Sequence, residues 1–154
     1  MSSLDDVYCK FGEVSEAAQL LETALGNILL TVGAIDADLL ENKDPEKAAT
    51  LFKSINRDTL GQLLKRLHKS VDSAANIESV LTTALSERNR LAHSFYRQHN
   101  FRRNSDVGCD IMLNDLNAIH EVIITALKAV HILSGVDLDG LLPVQALPTA
   151  HVEI

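Results

Sequence analysis

At 154 residues the chain is long enough to bury one core and too short for two ordinary domains. Hydrophobic residues make up 46% of it and aromatics only 4%, with no Trp and three Pro, a balance that favours aliphatic helix-on-helix packing over a sheet rich in aromatic and β-branched pairs. The net charge of −7, the acidic opening Met1-Ser2-Ser3-Leu4-Asp5-Asp6, two widely separated cysteines and the lack of an uncharged apolar run of about 18 residues argue against a signal peptide, a disulfide scaffold and a membrane span. The expectation is a soluble, cytoplasmic protein with no membrane partner, its Cys9 and Cys109 reduced and filling the core.

The first long element carries the clearest pattern. Phe11, Val14, Ala18, Leu21, Leu25, Ile28, Val32 and Ile35 alternate spacings of three and four, which predicts a helix over about residues 5–40 with an apolar stripe four heptads long. Ala17, Leu20, Ala24, Leu29 and Leu30 widen that surface, so neighbours should cover it on more than one side. At 1.5 Å per residue the helix would be about 50 Å long, more than a compact domain of this size spans, and the excess asks for a partner. Gly26 and Gly33 lie inside it and suit a kink or a close helix approach.

A stop follows at Asn42-Lys43-Asp44-Pro45, with Asp44 as cap and Pro45 at the first helical position of a short helix through Ala48, Leu51, Phe52 and Ile55. Thr59-Leu60-Gly61-Gln62 has capping-box spacing and opens a second short helix with Leu60, Leu63, Leu64 and Leu67 on one face. Lys53, Arg57, Lys65, Arg66 and Lys69 read as the polar side of this pair, and His68 as surface. Between about Ser73 and Phe95 a further helix aligns Ile77, Leu81, Ala84, Leu91 and Phe95. Residues 97–112 break the period and are expected to form a loop. Asn114 then caps a last long helix, 113–135, through Leu116, Ile119, Ile123, Ala126, Val130 and Leu133, ended by Gly135. Residues 1–136 thus make a single helical-bundle domain, and 137–154, with Pro143 and Pro148, an irregular tail apolar enough to dock.

The chemistry concentrates in Glu87-Arg88-Asn89-Arg90-Leu91-Ala92-His93-Ser94-Phe95. An arginine offers a rigid fork of donors to a phosphate, a histidine moves protons near neutral pH, and an asparagine orients either. With Ile77 at zero and 100° per residue, Arg88 falls at about 20°, inside the apolar stripe, while Asn89 and His93 fall at about 120° and 160°. A guanidinium in an apolar stripe must be paired or placed at an interface. An ideal helix does not aim Arg88 and His93 the same way. They converge only through the reach of the arginine, through distortion at the helix end, or across a two-fold axis.

Arg88, Asn89 and His93 resemble the Arg-Asn-x-x-x-His signature of the HEPN superfamily, all-helical domains common among prokaryotic toxin ribonucleases and their non-catalytic relatives. Short connections favour antiparallel neighbours, so the expected fold is an all-α antiparallel helical bundle of two long helices, 5–40 and 113–135, and a motif helix; the resemblance implies that it is HEPN-like and a homodimer with motifs facing. It also implies a metal-independent endoribonuclease in a toxin or defence role, with Arg88, Asn89 and His93 catalytic, no cofactor, and an antitoxin or other protein as a further partner. The alternative is a non-catalytic dimeric module that binds a protein or a nucleic acid.

Charge bears on the choice. Residues 87–103 hold Arg88, Arg90, Arg97, Arg102 and Arg103 against a single acid, Glu87, in an otherwise acidic chain, and Phe95, Tyr96, His99 and Phe101 interleave with them. Aromatics among cations suit unpaired bases, which makes Arg90, Tyr96, Arg97, His99, Arg102 and Arg103 the candidate RNA-binding set. No metal site is expected: His93 and His99 lack Cys or carboxylate partners at ligand spacing, and His120 and His131 are three turns apart.

Overall fold

The computed structural model describes residues 1–140, the side chains of Asp72 and Ser73 aside. The tail expected to dock through Pro143 and Pro148 lies outside the described residues. Within them the chain is all-helical and forms a bundle.

The first helix, α1, runs Leu4–Asp36. Ser3 caps it reciprocally: the Asp6 amide donates to Ser3 Oγ at 3.2 Å and the Ser3 amide donates to Asp6 Oδ2 at 2.7 Å. Its heptad stripe is buried through Val14, Ala18, Leu21 and Leu25. Ile35, the last member of the stripe, is exposed, because the helix stops at Asp36, short of the expected 40, and the chain leaves through Asp38 at φ 56°. Asp44 caps α2 (Pro45–Asn56) by accepting from the amides of Glu46 and Lys47. This helix packs closely on α1 at Gly33, where a Cβ would come within 2.8 Å of Leu51. In α3 (Leu60–Ser70) the Thr59 amide donates to Gln62 Oε1 at 2.7 Å, and Leu60, Leu63, Leu64 and Leu67 are buried.

A 3₁₀ turn, Asp72–Ile77, leads into α4 (Glu78–His93), which buries Leu81, Ala84 and Leu91. Residues 97–112 are not the expected loop. A short α5 (Phe95–His99) and a 3₁₀ turn, Asn100–Asn104, lead straight into α6 (Asp106–Leu133), which starts well before Asn114. The cap is Ser105, whose Oγ accepts from the Gly108 amide at 3.1 Å. The buried series Cys109, Met112, Leu116, Ile119, Ile123 simply carries the 3-4 spacing of the helix back to its start. Gly108 permits this: a Cβ there would lie 1.9 Å from the Arg102 carbonyl oxygen, so only glycine lets the 3₁₀ turn cross the first turn of α6.

The topology also corrects the antiparallel pairing of the two long helices. The Ser2 amide donates to Asp110 Oδ1, Lys10 meets His120, and Ile28 lies near Leu133, so α1 and α6 run parallel. The intervening α4 is antiparallel to both, with Arg88 beside Glu22 of α1 and Arg90 beside Asp115 of α6. Parallel neighbours need a long crossover, which residues 37–105 supply. By length and composition α1 and α6 are each apolar enough to cross a membrane, and here their buried faces make the core. Cys109 is buried as expected, but Cys9 is exposed.

Candidate functional site

Arg88 and Arg90 leave α4 on different sides and meet different carboxylates. Arg88 reaches α1, where Nη2 lies 2.7 Å from Glu22 Oε1, and its Nη1 donates to Asn89 Oδ1 at 3.3 Å. The guanidinium in the apolar stripe is therefore paired, at the surface edge of the stripe, with its side chain 26% exposed. Two open grooves flank the pair. Phe11, Ser15, Leu91 and Ala92 line the first, while Asn27, Leu30 and Phe52 line the second. Asn89 and His93 are exposed, His93 as the last residue of α4. Among the described residues no hydrogen bond joins Arg88 to His93.

Arg90, expected to face RNA, is anchored within the fold. Its Nη1 and Nη2 donate to Asp115 Oδ2 and Oδ1 at 2.7 and 2.8 Å, a two-pronged pair, while Nε donates to Glu87 Oε2 at 2.9 Å. His99 shares the same carboxylate, with Nε2 2.7 Å from Asp115 Oδ2. Arg102 Nη1 lies 3.1 Å from His99 Nδ1. An arginine can only donate, so Nδ1 accepts and the proton on Nε2 is donated to Asp115. His99 is 4% exposed, with its ring centroid 4.4 Å from that of Phe95. Hydrogen bonds from Arg90 hold the Asp115 carboxyl below its ordinary value despite partial burial, with His99 adding to the effect, and Asp115 raises Arg90 further above its usual range. The network ties α4, α5, the following 3₁₀ turn and α6 together, and so fixes the arginine-bearing segment.

Beyond this network Tyr96, Arg97 and Arg103 are exposed, as are Phe101 and, despite its bond to His99, Arg102. Arg103 Nη2 approaches the Tyr8 hydroxyl of α1 at 3.5 Å, and Tyr96 stacks at a tilt on Phe11, centroids 5.3 Å apart. Burial pushes the Tyr96 phenol up, the neighbouring Tyr8 adds to this, and Arg103 opposes it.

Sequence reasoning missed Glu22, Asp115 and Tyr8. Glu87 to Arg90 is an ordinary i,i+3 pair that spacing could have revealed. Asp115 and Glu22 belong to other helices, and only their heptad phase carries a signal. Of the remaining histidines, His120 accepts from Lys10 Nζ at 3.1 Å and His131 Nδ1 donates to the Leu127 carbonyl at 2.9 Å. Among the described residues no three His, Cys, Asp or Glu side chains gather as a metal site. Arg66 of the polar pair is bonded to Asp58 at 2.6 Å. No protein-family model, curated protein or solved structure matches the chain.

Proposed function

We propose that the chain is a HEPN-like, metal-independent endoribonuclease, cytoplasmic and working as a homodimer in a toxin or defence role. The observation that carries this reading is the disposition of the motif. Arg88 lies at the wall of an open groove, and Asn89 and His93 reach solvent at the same end of α4. His93 removes the proton of a ribose 2′-OH. The 2′-oxygen bonds to phosphorus, the bond to the 5′-oxygen breaks, and that oxygen leaves with a proton taken from water, whose hydroxide is neutralised by the proton His93 has gained. Arg88 stabilises the charge developing on the phosphoryl oxygens, and Asn89, already bonded to Arg88, orients it. Tyr96, Arg97, Arg102 and Arg103 contact the RNA, and Arg90 and His99 hold them in place.

The test is purified protein with a structured RNA in the presence of chelator. Cleavage leaving cyclic-phosphate ends, lost in His93→Ala, is the expected result. Intact RNA with the wild type would discard the activity.

A second reading is favoured by the Arg88 to Glu22 pair. A guanidinium already bonded to a carboxylate at 2.7 Å can serve as a tie between α4 and α1. In that case the chain is a non-catalytic dimeric module for a protein such as an antitoxin or for a nucleic acid. Unimpaired partner binding by His93→Ala, with no RNA turnover by the wild type, is its signature.

A further inference from the structure

Tyr8, Phe11, Ser15, Gln19 and Glu22 fall within an arc of about 80° on α1 at 100° per residue. From Tyr8 to Glu22 they extend about 21 Å at 1.5 Å per residue. None of them belongs to the buried core of α1. The two ends of this row differ in chemistry. At the first, Tyr8 (45% exposed) has Arg103 at its hydroxyl, and Tyr96 (38% exposed) stacks on Phe11. At the other, Arg88 stands over the groove lined by Phe11, Ser15, Gln19 and Glu22. Two partly exposed aromatic rings and a guanidinium at one end, and a second guanidinium at the other, match a polymer in which flat bases alternate with anions.

We infer that this face of α1 is a track for an unpaired RNA segment, with a base held on Tyr8 and Tyr96 and a phosphodiester presented to Arg88 in place of Glu22. The inference rests on the ribonuclease reading for its polymer, and adds the substrate class of that site: single strands rather than duplex. In a duplex the bases are stacked on one another and offer no free face to the tyrosines, whereas every unpaired base offers one. Charge supports the choice of occupant, because Arg97, Arg102 and Arg103 are exposed on the segment beside the aromatic end. Their placement is built in, since the 3₁₀ turn carrying Arg102 and Arg103 is pressed against α6 at Gly108 and tied to His99. Glu22 keeps the phosphate position occupied until an anion displaces it.

The test separates binding from cleavage by using a labelled 2′-O-methyl oligoribonucleotide of about eight nucleotides, within the usual span of single-strand sites. It lacks the 2′-OH that the proposed cleavage requires. Fluorescence anisotropy should show the unpaired oligonucleotide bound at least about tenfold more tightly than the same strand annealed to its complement. Tyr8→Leu should weaken binding about tenfold, while Tyr8→Phe, which keeps the ring face, should bind like the wild type. Arg103→Gln should flatten the logarithmic salt dependence by roughly 0.7. Tyr8 is half exposed, so unchanged circular dichroism is expected for its variants and makes their binding interpretable. Equal affinity for single strand and duplex, unaltered binding by Tyr8→Leu, or no binding by the folded wild type would each overturn the track, the last leaving the aromatics to a protein partner. Tyrosine-dependent binding by a protein that cuts no RNA retains the track and removes the nuclease. Cleavage with tyrosine-independent binding does the reverse.

Discussion

Arg88 and Arg90 are two residues apart, so their side chains leave α4 about 200° apart and settle in different environments. Arg88 has one carboxylate, at an edge open to solvent, where an ion pair contributes about 0–1 kcal/mol. Arg90 shares Asp115 with a nearly fully buried imidazole, and Asp115→Asn leaves both donors badly matched, a loss on the order of 1–3 kcal/mol. Because Asp115 titrates below its ordinary 3.8 in the folded chain, its contribution is fully present above that value and is lost as pH falls through 3.8 toward the lowered folded value. Chemical denaturation across acidic pH should show this loss in the wild type and a flatter acid limb in Asp115→Asn. The same limb in both proteins would mean that Asp115 does not carry the linkage. What the sequence made legible at this scale was the need for Arg88 to be paired, because a charge at about 20° in an apolar stripe cannot stand alone. The identity of its partner was not, since a carboxylate on another helix is brought near only by the packing. Arg90 and His99 looked like RNA contacts because arginine and histidine among aromatics read the same way whether they face solvent or a hidden Asp115.

Among the helices, α1 was legible through its heptads because the packing of one strong stripe does not depend on what covers it. The start of α6 was not, because Asn100, Asn104, Ser105 and Gly108 resemble loop residues in isolation. Ser105 is a cap and Gly108 a crossing point, roles defined only once the 3₁₀ turn lies on the helix. Direction was illegible as well: short connections suggested antiparallel neighbours, yet α4 is the antiparallel element that lets α1 and α6 run parallel. This gives two contrasting expectations. Leu25→Ala empties a fully buried site in α1 and should lower unfolding free energy by about 2–5 kcal/mol. Gly108→Ala adds only a methyl, but against backbone at 1.9 Å, and should lower it by about 1–3 kcal/mol as an overpacked contact. Only Gly108→Ala should also displace Arg102 and Arg103, so its RNA affinity should fall while that of Leu25→Ala, assayed well below its melting point, holds. Equal RNA affinity in the two variants would mean that the crossing at Gly108 does not position the arginines.

For the proposed nuclease as a whole, Arg88 and His93 must act on one phosphate although they lie about 140° apart on one helix. Within one chain Arg88 is turned toward α1 and His93 stands exposed at the end of α4. The 33 residues of α1 extend about 50 Å, against roughly 40 Å for a compact domain of this length. Phe52 of α2 remains exposed beside the groove at Arg88 and Glu22, the kind of apolar surface that a second copy in the proposed dimer would cover. In the proposed homodimer, a two-fold axis beside α4 would bring the arginine of each chain toward the histidine of the other. Light scattering across a dilution series should therefore give about twice the 16.8 kDa chain mass, and a chain that stays at 16.8 kDa has no facing motifs. Mixing inactive variants tests the geometry more sharply. Arg88→Ala retains its histidine and His93→Ala its arginine, so a mixed dimer holds one intact site if each site draws on both chains, and none if each lies within a chain. After subunit exchange in equal amounts, about half of the dimers are mixed and one of their two sites is intact, so cleavage should return to about a quarter of the wild-type rate. Silence from the mixture, with exchange verified, would place Arg88 and His93 in separate tasks and leave the dimer without a shared active site.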